Sequence, residues 1–335
     1  MKTTESADVA ILGDGGWGTT LALLLNRKGH RVTLWGAFAD YVACLNAKRI
    51  NARFLPGARI PAQVRITADL QEAVSGKQLI VLAIPSQFMR QVLRKMARPG
   101  YPRQAYYVSV TKGIEIGSLK RMSEVIHDEL GNIKLAVLSG PTIAYEVAKE
   151  IPTTAVIASH DAATRKYLQG LFMTERFRMY TNDDVIGVEL GGSLKNVIAI
   201  ACGISDGLKF GTNTKAALLS RGLVEIARLG QAMGAKVSTF SGISGLGDLV
   251  TTCISMHSRN RFVGDQIGKG KSLRQVKSHM RMIAEGVPTA KSAYELSRRY
   301  KIEMPITREV YSVLYKNKSP LKAVRDLMTR AKKEE

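Results

Sequence analysis

Residues Val9 to Gly36 read VAILGDGGWGTTLALLLNRKGHRVTLWG, and this stretch decides the fold. Val9–Leu12 is a short apolar run. The chain breaks on Gly13, Gly15, Gly16 and Gly18, resumes as an apolar stretch with helical spacing, and ends in a β-rich run, Val32 to Trp35. Strand, glycine turn, helix, strand is the order of a dinucleotide-binding unit. In Gly13-x-Gly15-x-x-Gly18 the first glycine makes a tight turn. The second lets backbone approach a pyrophosphate, and the third lets helix pack on strand. The helix N-terminus offers free N–H groups and positive dipole to the phosphates.

The second half of that fingerprint is missing. A carboxylate about 20 residues on holds the ribose 2′-hydroxyl of NAD, and an arginine there holds the 2′-phosphate of NADP. Here the second strand runs into Gly36, Ala37 and Phe38; Asp40 comes late and Arg31 early. Phe38 is expected to flank the adenine without reading the ribose. NAD(H) and NADP(H) are both expected cofactors.

Outward from this unit, short β-branched runs at Val64–Thr67, Leu79–Ile84, Tyr106–Val110 and Leu135–Leu138 alternate with helical patterns. Two more β-like runs follow, TTAVIAS and RFRMYTND. The alternation predicts an α/β fold with a mostly parallel, doubly wound sheet. After about Asp184 long helical patterns take over and no strand is evident. A chain of 335 residues exceeds one ordinary domain. The domains are placed at 1–185, a Rossmann-like dinucleotide-binding domain, and 186–335, an all-helical substrate and catalytic domain.

Several later motifs carry chemistry. VTKGIE sets Lys112 just past a strand, at the carboxyl end where ligands of a parallel sheet sit. LSGPTIAYE repeats that placement, and Thr142 there either caps a helix or bonds a ligand. In VELGGSLKNVIAIACGI, Lys195 and Asn196 interrupt a segment apolar on nearly every face. A lysine so placed is paired or poised for proton transfer, because burial disfavours its charged form. Gly191 and Gly192 weaken that helix and make sense where backbone or ligand approaches closely. SGISGLGDLVTTC ends in Asp248, which caps a helix, holds substrate hydroxyls or tunes the lysine. HSRNR puts Ser258, Arg259, Asn260 and Arg261 in a row, a guanidinium fork with neutral donors, as a phosphate site wants. AEGVPTA places Glu285 in a loop punctuated by Gly286 and Pro288.

Composition narrows the partners. Lys and Arg number 49 against 28 Asp and Glu, a net charge of +21, which suits small phosphorylated molecules. The basic residues are spread out, without aromatic platforms or a nucleic-acid-binding signature, so nucleic acid is not an expected partner. Cys44, Cys202 and Cys253 lie far apart, form no CxxC and fit a reducing compartment. No His/Cys cluster has ligand spacing, so no metal is expected. The start MKTTESADVAIL lacks the pattern of a signal peptide. The apolar stretch NVIAIACGIS is shorter than the roughly 20 residues a bilayer needs, so no transmembrane segment is expected. A cytoplasmic location follows as the default. Oligomeric state stays open, with a homodimer as the candidate.

Together the motifs resemble the NAD(P)-dependent glycerol-3-phosphate dehydrogenases of the bacterial type. VTKGIE, LSGP, GVELGGSLKNVIAIACGISDGL, GLGDLV, SRNR and EGVPTA fall in that family's order and spacing, from Val9 to about Tyr315. The resemblance implies a Rossmann-like first domain and a helical second domain like that of 6-phosphogluconate dehydrogenase. It implies interconversion of glycerone phosphate and sn-glycerol 3-phosphate, which feeds phospholipid synthesis. By carry-over, Gly16, Trp17 and Ala144 line the cofactor, and Lys112 touches cofactor and substrate. Gly140 and Thr142 line the substrate, and Lys195 is the catalytic acid/base. Asp248, Ser258, Arg259 and Asn260 surround the substrate, while Arg259, Ile283 and Glu285 reach the cofactor. Three departures stand out: Asp14 and Gly16 where Ala and Ser are usual, Thr142 for Ser, and Ala37-Phe38 where a basic pair is common. Two other classes share part of this pattern. A 6-phosphogluconate-type or β-hydroxyacid dehydrogenase is disfavoured by the SGP, LKN and SRNR set. A cofactor-sensing binding protein is disfavoured by Lys195 in its apolar setting.

Overall fold

The computed structural model describes residues 6–334 apart from 99, 281 and 333. Residues 1–5 and the last residue, on which the expectations about the chain ends partly rest, lie outside the described residues. The chain divides into two compact units. One takes residues up to 112 together with 120–188, the other 113–119 together with 189 onward. The division thus falls between Val188 and Glu189, not at 185, and a seven-residue piece of the first half joins the helical unit.

The first unit is an eight-stranded sheet. Its strands are β1 (Asp8–Leu12), β2 (Arg31–Trp35), β3 (Arg65–Thr67), β4 (Leu79–Leu82), β5 (Tyr106–Ser109), β6 (Lys134–Ser139), β7 (Thr153–Ala158) and β8 (Phe177–Asn182). They lie in the order β3-β2-β1-β4-β5-β6-β7-β8. Every neighbouring pair is parallel except β6–β7. Helices cover both faces, so the central strands are apolar on both sides. Val9 and Ile11 enter one core, with Leu21, Leu25 and Leu34, while Ala10 and Leu12 enter the other, with Leu82, Met89 and Tyr107. The strand order reverses at β1, which pairs with both β2 and β4. A ligand crevice opens beyond the carboxyl ends of the strands at such a switch point. Gly13 stands there, its N–H donating to the Trp35 carbonyl at 3.0 Å.

The second unit carries no β-strand among its described residues. The longest helix, Val185–Gly207, begins with the last four residues of the first unit and continues into the second. It starts behind Asp184, whose Oδ1 accepts from the Gly187 N–H at 2.8 Å. The helices Thr212–Ala232, Asp248–Ile254, Arg259–Gly268, Gly286–Arg299, Pro305–Tyr315 and Pro320–Met328 follow, with shorter turns between. The length argument against a membrane span fails. NVIAIACGIS belongs to a 23-residue helix that is long and apolar enough to cross a bilayer. Almost all of that helix is buried inside the protein, however, as a core helix is.

Glycine sets how closely these helices approach. A Cβ on Gly203 or Gly207 would strike the carbonyls of Arg261 or Asp265, and one on Gly264 would strike that of Ile200. Gly191 meets the backbone of Ser244 and Gly245 in a π turn, Ile243–Gly247, which is the close approach its sequence suggested.

Candidate active site

The dinucleotide loop is built as its sequence implies. Gly13 has φ +126°, a conformation L side chains rarely adopt, and a Cβ there would strike the Ala83 carbonyl just past β4. A Cβ on Gly18 would strike the Gly13 carbonyl, so the helix Gly16–Arg27 seats tightly on the turn. Gly15 is that helix's N-cap, and a Cβ there would meet nothing within 4 Å. No acidic side chain lies in the first helical turn. An open face, free N–H groups and a cradle that side chains would fill suit a pyrophosphate.

Gly16 faces two segments. Its side meets the Phe54 carbonyl and, at 3.8 Å, the Ala144 side chain. Thr20 Oγ1 also donates to the Ala144 carbonyl at 3.0 Å, so Ala144 is brought to the loop. Trp17, expected along the cofactor, is the second residue of the helix Gly16–Arg27. Its half-buried indole packs on the core beside Phe177, ring centroids 6.5 Å apart, and its Nε1 is buried with no hydrogen-bond partner among the described residues. Phe38 is 69% exposed and heads the helix Ala39–Lys48.

Sequence reading missed Asn51. Its Nδ2 donates to the Asp14 carbonyl and to Thr19 Oγ1, both at 2.7 Å, pinning the glycine loop from 37 residues away. No local pattern marks such a long-range bond. Asp14 itself carries a raised pKa, pushed up to about 6 mainly by burial.

Past β5, Lys112 Nζ donates to the Gly140 carbonyl at 2.8 Å and reaches Thr142 Oγ1 at 3.4 Å. The three expected substrate residues of the first unit therefore form one cluster. Thr142 does not cap the following helix, Ala144–Ala148, whose N-cap is Ile143. Its hydroxyl turns to Gly140 and Lys112 instead.

In the second unit Lys195 is 5% exposed and Asp248 1% exposed, and the two form a buried ion pair. Thr252 Oγ1 lies 2.5 Å from Lys195 Nζ and donates to the Asp248 carbonyl at 2.7 Å. Asp248 is not a cap; Gly247 holds that position. Thr252 was missed, although it stands four residues after Asp248 on one helical face. Cys253 and Cys202 are buried nearby. A contact with the Cys202 thiol and burial push the Cys253 thiol well above its usual range, which leaves it inert as a nucleophile.

The SRNR run is a helix start. Ser258 is the N-cap of Arg259–Gly268 and accepts from the Arg261 N–H at 3.2 Å. The helix sends its side chains apart. Arg261 pairs with Asp206 at 2.6 Å, which also takes Lys215. Asn260 turns inward, donating to Asn196 Oδ1 and accepting from the Gly286 N–H, both at 2.8 Å. Arg259 donates to the Ile283 carbonyl at 3.0 Å, which brings together two residues expected at the cofactor. Glu285 is not in a loop: it heads the helix Gly286–Arg299, with Gly286 and Pro288 in its first turn. Proline is tolerated there because first-turn N–H groups have no helical partner. A Cβ on Gly286 would strike the Asn196 carbonyl, which explains the glycine.

Residues 8–165 match the family model for the NAD-dependent glycerol-3-phosphate dehydrogenase N-terminus, and residues 184–325 match the model for its C-terminus. A glycerol-3-phosphate dehydrogenase [NAD(P)+] of Thermoanaerobacter sp. (strain X514) is 50% identical over 327 residues, 98% of each chain. The crystal structure of the glycerol-3-phosphate dehydrogenase of Coxiella burnetii superposes with a TM-score of 0.94 at 40% identity, covering 97% of this chain and 99% of that one. The corresponding enzyme of Saccharomyces cerevisiae superposes with a TM-score of 0.81 at 29% identity, over 97% of this chain and 100% of that one.

Proposed function

The chain belongs to the NAD-dependent glycerol-3-phosphate dehydrogenase family, and from that premise we propose how its residues divide the work. The activity is NAD(P)-dependent interconversion of glycerone phosphate and glycerol 3-phosphate. The cofactor supplies or accepts the hydride. The glycine loop, with Ala144 and Phe38 at its margins, holds the dinucleotide. Lys195 exchanges the proton at the C2 oxygen of the substrate, and Asp248 and Thr252 fix the ammonium in place for that exchange. Lys112, with Thr142 and Gly140, orients the substrate, and Arg259 takes its phosphate as a guanidinium fork. Asn260 serves more as a brace than as a ligand, since Asn196 and Gly286 occupy one N–H and its carbonyl oxygen; its second N–H stays available to the phosphate. Remote binding through the phosphate positions C2 for transfer.

The single observation that carries this assignment is the buried Lys195–Asp248–Thr252 cluster, because a lysine enclosed in an apolar helix demands a partner and a purpose. Lys195→Met removes the proton donor, and kcat is expected to fall by about 10²–10⁴-fold. A folded Met variant that keeps more than about a tenth of wild-type kcat would take Lys195 out of the mechanism. The proposal extends to a cytoplasmic enzyme feeding phospholipid synthesis, with a homodimer as the candidate assembly. Three free cysteines support the reducing compartment.

A further inference from the structure

We propose that Asn51 is a positioning residue for the dinucleotide: its side-chain amide turns the Asp14–Gly15 peptide so that the Gly15 N–H faces the pyrophosphate. The proposal deepens the reading above and rests on the glycine loop being the dinucleotide seat.

The amide itself has one way to sit. Asn51 is fully buried. Its Nδ2 donates to the Asp14 carbonyl and to Thr19 Oγ1, both at 2.7 Å. Its Oδ1 accepts from the Tyr41 hydroxyl at 2.7 Å and from the Phe54 N–H at 3.1 Å. Two donors and two acceptor sites are all filled. A carbonyl only accepts and a main-chain N–H only donates, so the amide turned over would set oxygen against oxygen and N–H against N–H. The direction of the Asp14 carbonyl is therefore fixed by a side chain that cannot itself rotate.

The peptide plane carries that direction to the other side of the loop. The Asp14–Gly15 bond is trans, and in a trans peptide the C=O and N–H point opposite ways. Asn51 draws the carbonyl into the protein, so the Gly15 N–H in the same plane points out of it. Gly15 is only half-buried, and a Cβ there would meet nothing within 4 Å. Its N–H donates to no group among the described residues. An unpaired N–H at the N-cap of a helix is a ready donor to a phosphate oxygen.

The same hub sets the flank of the loop. Phe54, held through its N–H, turns its carbonyl to Gly16, where a Cβ would strike it. The Leu55 N–H bonds the Asn51 carbonyl at 2.8 Å and closes this segment on itself. Thr19 Oγ1 adds a second, longer bond to the Asp14 carbonyl at 3.3 Å. Glycine at 16, one of the departures noted in the sequence, follows from this arrangement.

The test is binding, read at a temperature where circular dichroism shows each variant folded. NADH is titrated into the whole enzyme by nicotinamide fluorescence, ADP-ribose by calorimetry, and adenosine by competition with NADH. Asn51→Leu keeps the bulk and removes both donors, and NADH and ADP-ribose should bind at least about tenfold more weakly. Adenosine, which has no pyrophosphate, should change by less than about twofold. The KM for NADH should rise in step while kcat stays within about twofold, because the pyrophosphate is remote from the hydride. If Asn51→Leu folds poorly, Thr19→Val removes support from the loop side alone and should weaken NADH by about three- to tenfold. Asn46→Leu is the control: its amide donates to the Ile66 carbonyl at 3.1 Å and not to the loop, so affinities should stay within about twofold. Unchanged NADH affinity in Asn51→Leu, or in Thr19→Val where that variant stands in, overturns the proposal. An equal loss for adenosine, an equal loss in Asn46→Leu, or a fall in kcat at constant KM overturns it too and makes Asn51 a general support of the fold. If wild type binds neither NADH nor ADP-ribose, the glycine loop is not the dinucleotide seat, and that reading falls together with the proposal.

Discussion

At the residue scale, Lys195 was legible because a lysine inside an apolar helical run stands out against its neighbours. Its partner was legible only as one of three uses for Asp248, because pairing across 53 residues leaves no local trace. The structure adds a stability consequence. Removing one member of a buried pair strands the other's charge, which destabilises by about 3–5 kcal/mol. Lys195→Met and Asp248→Leu should each lower the unfolding free energy by about that much, and the double variant by clearly less than the sum. Additive losses in denaturant unfolding would show that the two side chains are not coupled. Arg259→Leu tests a different role. Loss of a charge-assisted contact to phosphate is worth about 1.5–3 kcal/mol, so kcat/KM for glycerone phosphate should drop roughly 10–100-fold. Unphosphorylated dihydroxyacetone should lose far less. Equal losses on both ketones would make Arg259 a structural or cofactor residue.

At the scale of elements, the eight strands were readable because each is a short run rich in β-branched, aromatic or other apolar residues, and their bounds shift by only a residue or two. Helix starts were harder. Glu285 reads as loop because Gly286 and Pro288 follow it, yet a helix's first turn accepts both, since its N–H groups have no helical partner. The start of Pro305–Tyr315 shows another long-range cap. Glu225 accepts from the N–H groups of Ile306 and Thr307 at 2.6 and 3.1 Å, and burial pushes its pKa up to about 7. The folded state then holds this proton more tightly than the unfolded chain does. Stability from this group therefore falls as pH rises from about 4.5 to 7 and is level above that, by up to ~3 kcal/mol. Glu225→Gln should flatten that part of the stability–pH curve; an unaltered slope in chemical denaturation between pH 5 and 8 would remove Glu225 as its source. Close helix approach gives a second test at this scale. Gly264→Ala should destabilise by about 1–3 kcal/mol, because the added methyl meets the Ile200 carbonyl of a neighbouring helix. A melting temperature unchanged from wild type would show that the pair separates freely.

At the scale of the whole molecule, the charge of +21 acts over distance and not through any one contact. Anionic substrate and cofactor are both drawn in, and salt screens the attraction within about 10 Å at 0.1 M. The KM for glycerone phosphate is expected to rise with ionic strength while kcat stays nearly constant, and steady-state rates across a salt series check this. Composition announced that charge, but the division of the chain was not open to it: alternating strands and helices mark where a sheet ends, not which unit a short loop joins. Residues 113–119 join the helical unit, where Ser292 Oγ donates to the Ile114 carbonyl at 3.3 Å. The backbone therefore passes from one unit to the other three times, after 112, after 119 and after 188. No single breakpoint in the gene separates the halves. A recombination event at 188 would hand its new host a helical half lacking seven of its own residues, so the two halves are inherited as a linked pair and not as exchangeable cassettes.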